Sequence, residues 1–203
     1  MQILDLKREQ KELYQPSSSH PVQIDVPLLK FLMLDGEGDP NRSQAYQDAV
    51  EALFATSYTL KFMVKKSELA IDYTVLPLEG LWWAEDMSTF SVDDKSNWKW
   101  TMMIRQPEFV SEAMVVKALS DVQKKKKLAA IAQLRFEAYA EGRAAQIMHI
   151  GPFSAEGPII AKLHQFIHEN GYSLSGKHHE IYLSDIRKAD PAKWKTVIRQ
   201  PMQ

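Results

Sequence analysis

From Tyr46 the chain repeats an apolar stripe through Val50, Leu53, Ser57, Lys61 and Val64, widened by Phe54, Leu60 and Met63. The spacing is helical, and Asp39 or Ser43 offers a cap, so a helix is predicted over 43–66. A second helix is predicted over 111–127, with Val115, Ala118, Leu119 and Val122 on one face. A third is predicted over 154–170, with Ile159, Ile160, Leu163, Phe166 and Ile167 inward and Gly171 suited to its end. Between them the pattern changes to short β-branched and aromatic runs. These predict strands over 28–36, 71–84, 98–106, 134–139, 143–151, 178–184 and 194–200. Ala140-Glu141-Gly142 reads as a hairpin, Pro77 and Gly80 as an edge or bulge, and 85–97 as a polar loop. Residues 1–15 suggest a short irregular helix, broken by the linker Gln15–Pro21. Residues 1–27 are therefore expected to form an N-terminal extension that docks on the domain.

Ile104-Arg105-Gln106-Pro107 recurs as Ile198-Arg199-Gln200-Pro201, and the same offset carries Trp100 onto Trp194. Each half runs strand, helix, strand, polar loop, strand. A duplicated βαββ unit accounts for this order. The expected fold class is α+β. The two units would form a pseudo-twofold antiparallel sheet with helices on one face and a ligand cleft on the other. One domain would span 28–203, with repeat one at about 28–107, a connecting helix at about 111–127 and repeat two at about 134–203.

Composition narrows the function. The 203 residues hold 25 Lys and Arg against 26 Asp and Glu, a formal net charge of -1. No basic excess points to direct nucleic-acid binding. Lys124–Lys127 reads as the solvated last turn of a helix, where cations complement the dipole. No run of about 18 apolar residues predicts a membrane span, and the charged start is unlike a signal peptide. Cysteine is absent, which removes disulfides and thiol nucleophiles. A cytoplasmic protein is the expectation. His164 and His168 share a helix face, and His178-His179-Glu180 raises a metal question. No HExxH pattern or third ligand accompanies them, so no metal site is expected. Gly36-Glu37-Gly38 lacks the rest of a phosphate loop, and Ser17–Ser19 has no nucleophile elbow around it. Trp82, Trp83, Trp98 and Trp100, four of the five tryptophans, crowd one stretch and need a packing or binding explanation.

Gln146-Ile147-Met148-His149-Ile150-Gly151-Pro152 opens the second repeat's helix, and Glu180-Ile181-Tyr182-Leu183-Ser184-Asp185 precedes a final strand ending at Pro201. With Asp72–Ala84 and Trp98–Pro107, these segments resemble a stand-alone branch of the GyrI-like small-molecule-binding family, over about residues 2–203. That fold also forms the effector-binding domain of MerR- and AraC-type multidrug regulators. The resemblance implies a promiscuous aromatic pocket with a buried acidic residue that pairs with cationic planar drugs, and Glu180 matches that position. Some stand-alone members open the cyclopropane ring of DNA-alkylating natural products with water. Residues 1–27 are too short for a helix-turn-helix module, so no transcription-factor role is expected.

Alternation places Glu180 and Tyr182 on one strand face. In an apolar cleft a carboxylate's charged form is disfavoured, and it could bind a cation or act as a general base on water. The alternative is an exposed strand-end glutamate. Trp82 and Trp83 point to opposite faces; Glu79, Leu81 and Trp83 share one, as do Trp98, Trp100 and Met102. Trp83 and Trp100 are the preferred cleft walls, with methionine adapting to ligand shape; otherwise all four tryptophans are core. Phe136, Tyr139, Met102 and His149 complete the candidate lining, although His149 also reads as a core histidine. Glu79 and Glu180 hold similar places in the two repeats and could divide acid and base roles, or one is structural. Tyr73, Tyr139 and Tyr182 could each donate to a ligand carbonyl, Tyr182 being the first choice. The leading expectation is a cofactor-free hydrolase of cyclopropanoid DNA alkylators with Glu180 and Tyr182 catalytic. The others are a drug-sequestering protein and a gyrase-modulating protein. The partner would be a hydrophobic or cationic small molecule, and the chain a monomer or homodimer.

Overall fold

The computed structural model describes residues 2–85 and 95–203. Residues 86–94, most of the expected polar loop, lie outside the described residues. Along the chain run β1 (Gln2–Leu4), α1 (Leu6–Glu9), α2 (Lys11–Tyr14), β2 (Val22–Glu37), α3 (Gln44–Lys66), β3 (Ile71–Tyr73), β4 (Leu78–Trp83) and β5 (Lys99–Gln106). They are followed by α4 (Glu112–Lys126), β6 (Arg135–Ile150), α5 (Gly157–Glu169), β7 (His178–Tyr182) and β8 (Lys195–Pro201). The fold is α+β, with antiparallel strand pairs and helices packed on the strands. None of the described helices is long and apolar enough to cross a membrane.

The chain divides into two compact units. One is built mainly from Leu29–Leu78 and Trp82–Tyr139. Here the Ser43 and Ser111 hydroxyls accept from the N–H groups of Tyr46 and Met114, starting α3 and α4 where the sequence predicts. β2 and β5 pair antiparallel with Leu32 opposite Ile104 and Gly36 opposite Trp100. The even-numbered residues of β5 face α3: the Gln106 side chain donates to the Ser57 hydroxyl at 3.2 Å. Around Tyr46 of α3, Trp82 stacks at 6.2 Å and Trp100 stands edge-on at 5.4 Å, with Trp98 against Trp82. Three of the four crowded tryptophans thus form one aromatic core.

Gly36 is needed at its position because the Trp100 ring crosses it. A Cβ there would lie 2.2 Å from the ring, and Trp100 is wholly enclosed. Gly36→Ala is expected to cost about 1–3 kcal/mol, the scale of an overpacked core. Chemical denaturation of the variant checks this.

The second unit comprises Lys7–Leu28, Glu79–Leu81 and Ala140–Gln203. β8 is its central strand, pairing with β6 on one side (Ile147 opposite Ile198) and β7 on the other (Glu180 opposite Ile198). α5 buries Leu163 and Ile167 against Ala145, Ile147, Ile198 and Met202. The opposite face of these strands meets the N-terminal stretch. Leu13 and Tyr14 are buried, and Met148 N–H donates to the Ser17 carbonyl at 2.9 Å.

Several expected elements are corrected. The hairpin at 140–142 is the middle of the single strand β6. Gly142 takes a positive φ of 72, but the chain does not reverse there and stays extended from Arg135 to Ile150. Residues 1–15 form β1 and two short helices instead of one helix, and β1 pairs in parallel with β3. β2 begins at Val22, inside the stretch read as extension. The strand predicted over 71–84 is two strands separated by residues 74–77, ending in Pro77, which has no N–H for a ladder. α5 begins at Gly157 after a tight turn over Phe153–Ala155.

Candidate functional site

Strand alternation sorts the chemistry of β7 onto two faces. His178, Glu180 and Tyr182 lie on one and His179 on the other. Both faces carry networks, and they differ in access.

On the first face Glu180 accepts a 2.7 Å hydrogen bond from the Tyr182 hydroxyl. His178 Nε2 lies 2.9 Å from its other oxygen, within hydrogen-bond distance. The Glu180 side chain keeps 13% of its surface. Gly151, at φ 140, turns the chain out of β6, and the turn at Phe153–Ala155 follows. The Phe153 ring then stands edge-on to Tyr182 at 5.6 Å and tilted on Trp194 at 5.0 Å. Phe153 is 37% exposed, so this aromatic wall reaches solvent. Trp194 is fixed by its indole N–H, which donates to the Ala189 carbonyl at 2.9 Å. His149 is buried and donates from Nε2 to the Pro152 carbonyl at 3.0 Å, holding the turn that carries Phe153. A half-buried carboxylate beside flat rings can attract a cation, or take a proton from water.

The second network is sealed. His179 Nδ1 donates to Glu141 at 2.8 Å and Nε2 to Glu79 at 2.9 Å. Two carboxylate partners need two N–H groups, which only the imidazolium has. Burial disfavours that cation, but the two carboxylates prevail and push its pKa up to about 9. Burial likewise works against the Glu141 anion, and His179 and Arg199 outweigh it, holding its pKa down at about 2. Arg199 donates to Glu141 and to the Gln146 side chain, each at 3.0 Å, and to the Leu13 carbonyl at 2.8 Å. Gln146 donates to the Glu12 carbonyl. Two cations and two anions therefore balance inside the unit, and the chain at 12–13 closes over them.

Of the two readings of these carboxylates, a shared pair or one structural residue, the geometry fits the second: Glu79 bonds to His179, on the other face of β7 from Glu180. Glu180 and Tyr182 also do not face away from the helices: the register puts them on the face of Ile198, where α5 packs. The structure brings Glu180, Tyr182 and His149 onto that one face. Trp100 and Met102, expected as open walls, are wholly buried beneath α3, because the even residues of β5 are its core side. Tyr73 is buried edge-on to Phe109, and its hydroxyl has no hydrogen-bond partner among the described residues. Burial raises its pKa. Trp83, Phe136 and Tyr139 are half-buried in the same unit as Tyr73, Tyr139 edge-on to Phe31 at 6.4 Å. No group of three or more His, Asp or Glu among the described residues is arranged to hold a metal.

Sequence reasoning missed Phe153, Trp194, Glu141 and Arg199, and it weighed His178 only as a metal ligand and not as the neighbour of Glu180. Arg199 left a signal: an arginine inside an apolar strand must have buried partners. Glu141 was masked by its apparent place in a turn.

The sequence matches the model of the GyrI-like small molecule binding domain over residues 20–203. No curated protein matches it. An uncharacterized conserved protein from Listeria innocua is 42% identical; the alignment covers 98% of this chain and 100% of that one, with a TM-score of 0.91. A protein from the same organism described as a hydrolase is 41% identical over 100% of both chains, with a TM-score of 0.88. The C-terminal domain of EcmrR shares the fold at 15% identity, covering 91% of this chain and 97% of that one, with a TM-score of 0.56. With nearly all of its length matched to one family model, the chain belongs to the GyrI-like small-molecule-binding family.

Proposed function

We propose that the protein hydrolyses flat, electrophilic small molecules, with cyclopropanoid DNA alkylators as the substrate class and protection of the cell as the result. The observation that carries this reading is Glu180, a carboxylate held between Tyr182 and His178 on a face that remains accessible beside Phe153 and Trp194. The hydrolase description of the 41% identical Listeria protein supports a reaction over binding alone.

The chemistry balances without a cofactor. Water attacks the strained ring carbon and gives a proton to Glu180. The ring C–C bond breaks, and its electron pair moves through the conjugated system onto the carbonyl oxygen, which becomes a phenolate. Tyr182 first holds Glu180 with its single O–H. Once Glu180 is protonated that bond weakens, and the hydroxyl turns to donate to the new phenolate. The proton on Glu180 then returns through solvent to the phenolate oxygen. The product is a ring-opened alcohol.

Incubation with a large excess of a cyclopropanoid alkylator tests the proposal by mass spectrometry in 18O-labelled water. Many labelled alcohol molecules per protein are expected. At most one per protein, with quenching of tryptophan fluorescence, would replace hydrolysis by sequestration.

A further inference from the structure

The strand register sets Thr196 among the residues that the reading above makes functional. Tyr182 of β7 and His149 of β6 both lie directly opposite Thr196 of β8, so the three form one row across the sheet. Residues directly opposite in antiparallel strands point to the same face. The row next to it holds Glu180 and Ile198. Thr196 is thus the diagonal neighbour of Glu180. Such positions lie about 7–8 Å apart, a separation that the short Thr196 hydroxyl, one water and the longer Glu180 side chain can bridge.

Thr196 is 1% exposed, and its hydroxyl has no hydrogen-bond partner among the described residues. A buried hydroxyl without a partner destabilises a fold. Valine has nearly the same shape and would avoid the penalty.

The repeat sharpens the contrast. The offset that carries Ile104 onto Ile198 and Gln106 onto Gln200 carries Met102 onto Thr196. Met102 is a wholly buried core residue beneath α3. The equivalent position is therefore apolar in one half and a hydroxyl in the half that carries Glu180.

We infer that Thr196 is a further residue of the Glu180 site, its hydroxyl holding the attacking water. A hydroxyl has one donor to give. It donates to the water oxygen, while the water donates one hydrogen to Glu180. The second lone pair of the water then points at the substrate carbon. Thr196 transfers no proton; it fixes the nucleophile. This assignment rests on the reading of Glu180 as general base.

The test uses the full chain with Thr196→Val, which keeps the shape, and Thr196→Ser, which keeps the hydroxyl. Turnover of a cyclopropanoid alkylator gives kcat and KM, and fluorescence quenching gives affinity. Thr196→Val is expected to lower kcat about tenfold, the scale of one hydrogen bond. Its KM and affinity should be unchanged, and its melting temperature equal or higher. Thr196→Ser should recover most of kcat. Glu180→Gln runs beside them. If it is inactive while Thr196→Val keeps full kcat, or while Val and Ser lose equally, the Thr196 assignment is overturned and the reading of Glu180 stands. If Glu180→Gln turns over normally, or the wild type does not turn over, the reading of Glu180 falls and takes the assignment of Thr196 with it.

Discussion

Arg199→Met should destabilise the fold by about 3–5 kcal/mol. The guanidinium has three named acceptors: Glu141, the Gln146 side chain and the Leu13 carbonyl. Methionine fills much of the volume but leaves Glu141 buried with one cation instead of two, and the carbonyl at Leu13 without its donor. Removing one member of a buried charge network costs far more than the network's net contribution, because the partner's charge stays desolvated. The effect should appear in urea denaturation as a lower midpoint with an unchanged slope. An unfolding free energy within about 1 kcal/mol of wild type would refute this network.

The pH profile provides a second check. The pKa of His179 is raised in the folded state, from 6.5 to about 9. Its stabilisation is therefore fully present below about pH 6.5 and is lost as pH rises through about 9. The pKa of Glu141 is depressed, from 4.5 to about 2. Its stabilisation is present above about pH 4.5 and is lost as pH falls through about 2. These two groups together place the stability plateau between about pH 4.5 and 6.5. In His179→Gln the protein should be less stable throughout, and the part of the alkaline decline due to this histidine should vanish.

The helices were legible in the chain because their stripes are long and because Ser43 and Ser111 mark their starts. The duplicated βαββ order was legible from the two Ile-Arg-Gln-Pro segments. Which face of each strand meets a helix was not. Alternation groups Trp98, Trp100 and Met102 correctly, but it carries no sign. That sign is set by Tyr46 and Ser57, which lie about fifty residues away along the chain. The same ambiguity hid the separation of Glu79 from Glu180. Both sit on strands, yet Glu79 meets its partner 100 residues away, on the other side of β7. Glu141 failed for a local reason. A charged residue before glycine resembles a turn, and only the two cations reached from β7 and β8 show that it is an interior strand residue. Glu180 and Tyr182 were legible as neighbours two apart, whereas Phe153 and Trp194 depend on the turn made by Gly151.

Glu180→Gln should abolish turnover of a cyclopropanoid alkylator by about 10²- to 10⁴-fold, the range of a general base. The amide keeps the size of the carboxylate and still accepts from Tyr182, so folding should be preserved. It cannot take a proton from water. The affinity measured by fluorescence then separates two roles of the same side chain. A neutral alkylator is held by Phe153 and Trp194, and its affinity should survive while kcat collapses. A planar cation would be held in part by the negative charge, and its affinity should fall with the charge. Loss of turnover with retained binding of the neutral ligand identifies Glu180 as a base acting on water. Loss of both, in a variant that melts like wild type, would make Glu180 a binding residue and move the chemistry elsewhere on this face.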